Sequence, residues 1–300
     1  MLGRAVGAEL GAAGIDYVGT GHELDIADDE RVLQFGVAGG FSHIINCAAF
    51  TDVDGAESQE KLAFAVNAHG PRNVGKVASR LGALAVHVST DYAFDGEAST
   101  PYGEDTRTNP IGEYGRSKVA GEEAFLEEDP GGLIVRTSWL FGVGGKNFVT
   151  TMIRLMTERS EVAVVADQVG RPTYTKDLAS AIVSLAGLGA RGRPAIPGRY
   201  HFANSGMASW HEFAVAIFER VKARPELHIV CNNVRAIATS EYPTRARRPK
   251  YSVLEIAKIS QALGATPRLW TEALDDYLSV LVDELKSKAS ITTHRLKLSR

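Results

Sequence analysis

The chain has 300 residues, 44% of them hydrophobic and 23% charged, which is ordinary globular composition and enough for one large domain or one plus a smaller one. A net charge of −3 removes any electrostatic case for nucleic acid or an anionic membrane as partner. No apolar run reaches bilayer-spanning length, the first twenty residues lack a leader pattern, and Cys47 and Cys231 stand too far apart to suggest a disulfide framework or a zinc site. A cytoplasmic protein is therefore expected.

In chain order, Gly3 opens a helix through Leu10 and Ala13, and Asp16 to Gly19 reads as a strand. His43 to Ala49 (HIINCAA) reads as a buried strand, Ala63 to Leu81 as a helix, and Ala83 to Ser89 (ALAVHVS) as the next strand. Tyr114 to Glu128 is a predicted helix, stopped by Asp129-Pro130-Gly131-Gly132, and Leu133 to Ser138 is a strand. Apolar strands alternating with helices predict a Rossmann-like, doubly wound parallel sheet, an α/β fold that binds ligands beyond the carboxyl ends of its strands. Further on, Glu161 to Val165 and Tyr200 to Ala203 read as strands, and Asp177 to Leu188, Ser209 to Val221 and Thr271 to Leu285 as helices. Tyr242 to Lys250 (YPTRARRPK) is a basic loop, and the polar tail 286–300 is expected to be disordered. The expected division is a dinucleotide-binding domain over 1–145 and about 175–205, and a smaller C-terminal α/β substrate domain over about 146–174 and 206–285.

Chemistry concentrates at the ends of the middle strands. Of nine tyrosines only Tyr114 has a lysine four residues on, Lys118, on the same helix face. A phenol ordinarily titrates near ~10, and a nearby ammonium lowers that value, which makes the pair a candidate proton donor and activator. By itself such a pair is a weak signal, better explained as an exposed pair on a surface helix. Ser89-Thr90-Asp91-Tyr92 follows a buried strand directly, where Thr90 can offer a hydroxyl to the phenol or to a substrate carbonyl, or simply cap a turn. Trp139, after the next strand, is placed to wall a pocket or to pack.

The linked segments VSTDYAFDG (88–96), PYGEDTRTNPIGEYGRSKVAGE (101–122) and RTSWLFG (136–142) resemble the extended short-chain dehydrogenase/reductases, and within them the dTDP-4-dehydrorhamnose reductase family. NCAAFTDVDGAE (46–57), VVADQVGRPTYTKDLA (164–179) and YPTRARRP (242–249) fit the same family, so the resemblance runs over about residues 3 to 285. It implies reduction of the 4-keto group of a dTDP-linked 6-deoxy-4-hexulose with NADPH or NADH. Tyr114 would be the proton donor, Lys118 its activator and a holder of the nicotinamide ribose, and Thr90 the catalytic hydroxyl. Thr90, Asp91 and Trp139 match positions that contact the sugar. Gly3, Asp25, Ile26, Ala48, Ala49 and Phe50 match cofactor positions. Arg245, Arg247 and Arg248 would either hold the nucleotide diphosphate or form a solvated basic loop. The implied partner is a nucleotide sugar, with no resident metal, and a homodimer is carried as the assembly. A regulatory subunit of the same fold, or an epimerase, is the alternative.

The family opens with a strand and a Gly-rich turn, whereas here Met1-Leu2-Gly3-Arg4 aligns with the end of that turn. A first strand is therefore expected to be missing, through a misassigned start, a natural truncation or a substitute segment, with weak dinucleotide binding as the expected result. Thr20 stands where an acidic residue would select NAD, so NADP is tolerated and the preference leans to it. Gly112 and Tyr251 replace asparagines usual in the family, and Gly112 is expected to loosen the loop before Tyr114.

Overall fold

A computed structural model describes residues 1–188 and 195–283. The first half comprises α1 (Leu2–Ala12), α2 (Asp29–Gly39), β1 (His43–Asn46), α3 (Val53–Ala56), α4 (Glu60–Phe64), α5 (Gly70–Leu81), β2 (Leu84–Thr90) and α6 (Glu113–Glu128). Then come β3 (Leu133–Thr137), β4 (Leu140–Phe141), α7 (Phe148–Glu158), β5 (Glu161–Val165), β6 (Val169–Gly170), β7 (Thr173–Tyr174) and α8 (Thr175–Leu185). The remainder is β8 (Gly198–His201), β9 (Ala208–Ser209), α9 (Trp210–Val221), β10 (Asn233–Ile237), α10 (Ala257–Leu263) and α11 over 270–283. No helix among the described residues is long and apolar enough to cross a membrane.

The main sheet is parallel, in the order β1-β2-β3-β8, so its carboxyl ends share one edge. Alternation along β2 decides what each face meets. Val86 joins Leu133 and Val135 against α1 and α8, through Leu2, Val6, Leu10, Leu178 and Ile182. Ala85 and Ile134 turn the other way, onto Val74 and Ala78 of α5 and Phe125 of α6. Helices on both faces make the sheet doubly wound, as the near-continuous apolar strands predict. A second core gathers Phe141, Val149, Met152, Met156, Phe213, Ile217, Leu274 and Tyr277 around α7, α9 and α11. It covers the parallel pair β5–β10.

Several boundaries have local causes. Asn147 and Ser209 close reciprocal capping boxes at the starts of α7 and α9. The helix expected over 63–81 is continuous in direction but changes pitch: α4 passes into a π-helical turn, Ala65–His69, before α5. The strand expected at Asp16 to Gly19 does not form. Tyr17 and Val18 are 52% and 64% exposed. Among the described residues no strand flanks the segment, so its backbone has no ladder to join. The tail 286–300, with the last residues of the helix expected to 285, lies outside the described residues.

Candidate active site

The carboxyl edge of the sheet brings together most of the residues singled out above. Thr90 ends β2 and Asp91 starts the short helical turn that follows. Thr90 Oγ1 accepts from the Tyr92 backbone N–H at 3.2 Å, so the hydroxyl both caps the turn and stays at the strand end. Tyr114 lies in the first turn of α6, with Tyr92 edge-on to its ring at 5.5 Å. Burial pushes the Tyr114 phenol well above the ordinary tyrosine value. The Thr90 hydroxyl beside it opposes that rise, and the nearby Asp91 and Tyr92 add to it.

Lys118 finds its hydrogen-bond partners on β2. Its Nζ donates to the Val88 carbonyl at 2.7 Å and stands 3.4 Å from His87 Nε2, and it makes no hydrogen bond to Tyr114. Burial lowers its pKa to about 8, against the attraction of Glu122. The cause is placement: one helical turn beyond Tyr114, a buried lysine takes the nearest carbonyl of β2 rather than reach along α6. Asp91 is buried too. Desolvation raises its carboxyl to about 6, although hydrogen bonds from Ser252 and Thr90 oppose it. Its Oδ2 has no partner.

Trp139 follows β3 with φ at +47°, a left-handed backbone rarely taken by a bulky residue. The ring is held on Trp210, stacked at 3.5 Å and 6°. It also lies so close over Gly170 that an added Cβ would strike the indole. Next to it, Ser138 Oγ donates to the Arg171 carbonyl at 2.7 Å. The Arg171 Nε is buried without a partner. Arg171 was not foreseen. The available signal was a cation inside QVGRPT, a short-strand segment at the sheet edge.

Two asparagines frame the other half of the edge. Asn46 Oδ1 accepts from the Ala48 N–H at 3.0 Å. Asn67, fully buried in the π-helical turn, accepts from the Phe50 N–H at 2.8 Å and donates to the Phe50 carbonyl at 3.0 Å. Its Nδ2 also donates to Ser117 Oγ at 3.0 Å, and Ser117 in turn donates to the Tyr114 carbonyl at 2.8 Å. Ala48, Ala49 and Phe50 are thereby pinned beside α6. Gly3 sits in the first turn of α1, which has no side-chain cap, and an added Cβ would meet Cys47 at 3.7 Å. Asp25 is exposed and accepts from the Ala27 N–H. Ile26 lies over the start of α5, where Gly70 leaves room for it, and Asn73 holds its carbonyl.

The basic loop divides. Arg248 donates to Asp54 at 2.7 Å and to the Tyr92 hydroxyl at 3.2 Å, and the Ala246 N–H reaches the same carboxylate at 2.9 Å. Arg248 therefore docks the loop on α3. Arg245 and Arg247 are exposed, and Arg245 lines an open polar cleft of about 480 Å³ with Asp52, Ser58 and Thr244. At Gly112 an added Cβ would meet only the movable end of Glu57 at 2.8 Å, and that carboxylate accepts from the Glu113 N–H at 2.9 Å, so the loop before Tyr114 is anchored rather than loose. Among the described residues no three His, Cys, Asp or Glu side chains stand together as metal ligands would.

A doubly wound sheet whose carboxyl edge carries a Tyr-x-x-x-Lys helix, a Thr at the neighbouring strand end and a small-residue loop belongs to the class of extended short-chain dehydrogenase/reductases. The family model described as RmlD substrate binding domain matches residues 1–282, and the chain belongs to that family. It is 43% identical over 254 residues to a dTDP-4-dehydrorhamnose reductase of Aggregatibacter actinomycetemcomitans, covering 84% of this chain and 85% of that one. It is 42% identical over 286 residues to the dTDP-4-dehydrorhamnose reductase of Mycolicibacterium smegmatis, covering 94% and 83%. Among solved structures, a dTDP-4-dehydrorhamnose reductase of Bacillus anthracis in complex with NADP superposes with a TM-score of 0.84 at 39% identity, over 92% and 94% of the two chains.

Proposed function

We propose that the chain reduces the 4-keto group of a dTDP-linked 6-deoxy-4-hexulose, the substrate of a dTDP-4-dehydrorhamnose reductase, with Tyr114 giving the proton. The observation that carries this is the meeting of Tyr114, Thr90 and the Asp91 carboxyl, whose Oδ2 has no partner, at one strand end, with Trp139 held in a left-handed backbone just after the next strand. When bound, NADPH or NADH supplies the hydride. The residues present suit it. The uncapped first turn of α1 offers amides to a phosphate, the small Ala48 and Ala49 leave space, and Lys118 faces the same edge. Thr20 carries no charge against a 2′-phosphate, which leaves NADPH admissible beside NADH.

In this reading the Tyr114 phenol donates to the carbonyl oxygen as the carbon is reduced, and Thr90 holds both oxygens in line. A phenol raised by burial keeps its proton until negative charge develops on the carbonyl oxygen. Asp91 orients a sugar hydroxyl through its free oxygen, and Trp139 covers the ring. The unpaired Arg171 and the exposed Arg245 suit the diphosphate. In this reading the core under the main sheet belongs to a cofactor unit and the core around α7, α9 and α11 to a substrate unit. Both described cysteines are free thiols, which fits the cytoplasm. A homodimer is the assembly carried with this reading.

Coupled turnover is the test. dTDP-glucose is converted by a dehydratase and an epimerase, and NADPH loss is followed by absorbance. Tyr114→Phe is expected to cut the rate by a factor on the order of 10²–10⁴ while leaving cofactor binding intact. Turnover that survives Tyr114→Phe removes the proton-donor assignment. No turnover at all favours a regulatory subunit of the same fold.

A further inference from the structure

His87 is a fully buried imidazole in the middle of a central strand, and nothing in the proton transfer described above uses it. It shares the α6-facing side of β2 with Ala85, against Phe125 at 5.7 Å. Its two nitrogens have different neighbours. Nδ1 lies 3.1 Å from Asn46 Nδ2, and Nε2 lies 3.4 Å from Lys118 Nζ.

The Asn46 amide has only one workable orientation. Its Oδ1 accepts from the Ala48 N–H at 3.0 Å, so the amide nitrogen is the atom that faces the ring. An amide nitrogen only donates, and His87 Nδ1 must therefore be the acceptor. A neutral imidazole with a lone pair on Nδ1 carries its hydrogen on Nε2. Burial, and then the nearness of Lys118, keep the ring neutral by holding its pKa well below the ordinary histidine value. The opposite tautomer would set Nδ1–H against the amide N–H. Rotating the amide to relieve that would strip the Ala48 N–H of its acceptor, and Ala48 is part of the small-residue loop.

The Nε2–H then points at the Lys118 nitrogen. A neutral amine can accept that hydrogen on its lone pair while it donates to the Val88 carbonyl. An ammonium has no lone pair and presents N–H to N–H. We propose that Asn46 and His87 are positioning residues for Lys118: Asn46 fixes the ring tautomer, and the ring's Nε2–H favours the free amine over the ammonium.

Other groups face Lys118 as well. Glu122 on its own helix pulls toward the ammonium, while Arg136 of β3 neutralises Glu122 through paired hydrogen bonds, and the Cys47 thiol after β1, pushed up to about 12 by burial, stays uncharged. The donor on His87 acts with desolvation against Glu122. The consequence is a lysine that exchanges its proton close to neutral pH. Any effect of that exchange on turnover rests on the reductase reading, whereas the tautomer does not.

Long-range proton–nitrogen NMR on the ¹⁵N-labelled full chain shows which His87 nitrogen bears hydrogen. Nε2–H is expected at neutral pH, and Nδ1–H or an imidazolium overturns the proposal whether or not the chain turns over. Asn46→Asp offers a second carboxylate oxygen to Nδ1–H and should reverse the tautomer, turning a lone pair toward Lys118. The alkaline limb of kcat/KM with NADPH is then expected to move up by roughly one pH unit. The same substitution in a His87→Leu background separates the ring from the added charge. An equal shift with and without the ring overturns the proposal. Absence of turnover in the parent chain counts against the reductase reading alone, since the NMR result stands apart from it.

Discussion

Replacing Glu122 with alanine isolates the buried charge pair behind the site. Arg136 is 1% exposed and gives Nε and Nη2 to the Glu122 carboxylate at 2.8 and 2.6 Å. Ser89 Oγ donates to the same carboxylate at 2.6 Å and Arg199 Nε at 3.1 Å. Without it, the guanidinium keeps the face of Phe94 at 5.2 Å and His201 Nε2 at 3.4 Å. Neither neutralises a buried cation, so the expected loss is about 3–5 kcal/mol. Arg199 adds little, because it is a third exposed and turns to water. Glu122→Gln retains one acceptor oxygen and should cost on the order of 1–3 kcal/mol. Urea denaturation followed by circular dichroism measures both from the shift in midpoint. The pH dependence has a definite sign. Burial alone would raise the Glu122 carboxyl, but hydrogen bonds and charge from Arg136, with Ser89 and Arg199, outweigh it and hold the carboxyl low. Its contribution is therefore present above the ordinary carboxylate range and lost as pH falls through the lowered value, so the gap between parent and Glu122→Gln closes below about pH 4. A midpoint for Glu122→Ala within about 1 kcal/mol of the parent would refute the assignment, since it would mean that Arg136 finds another anion or water.

Asp91→Asn should be the more stable form above about pH 6, because the buried carboxyl, raised to about 6, loses its advantage as pH rises through that value. The gain should shrink toward pH 4 in thermal melts, and a gain independent of pH would contradict the assignment. Gly170→Ala puts a methyl against the Trp139 indole. It is expected to raise KM for the nucleotide sugar roughly tenfold with NADPH affinity unchanged, measured by steady-state kinetics and a cofactor titration. Gly121→Ala drives a methyl into the Asn67 carbonyl, and a loss of about 1–3 kcal/mol is expected in urea unfolding.

Much of the main sheet was legible because its strands are buried on both faces and read as apolar runs, HIIN, LAVHVST and LIVRT. That Tyr114 and Lys118 share one helix was legible from their spacing, and that Thr90, Asp91 and Trp139 stand at or just past strand ends from the apolar runs before them. What the spacing cannot convey is the partner. Lys118 turns to the Val88 carbonyl, and Arg248 finds Asp54, 194 positions away in the chain. Asp16 to Gly19 reads as a strand on local pattern, but a strand also needs a neighbour. The polar residues Asn46, His87 and Asn67 carry only the faint signal of interrupting apolar stretches, and their roles rest on hydrogen bonds across elements.

Asn67 has a consequence for anyone redesigning this protein. One amide grips both backbone groups of Phe50 and the Ser117 hydroxyl, and through it the carbonyl of the tyrosine's own residue. The small-residue loop and the tyrosine-bearing helix therefore move as one part. Changes made to the loop to retune cofactor choice will be felt at Tyr114, and a library that varies the two regions independently will mostly sample mismatched pairs.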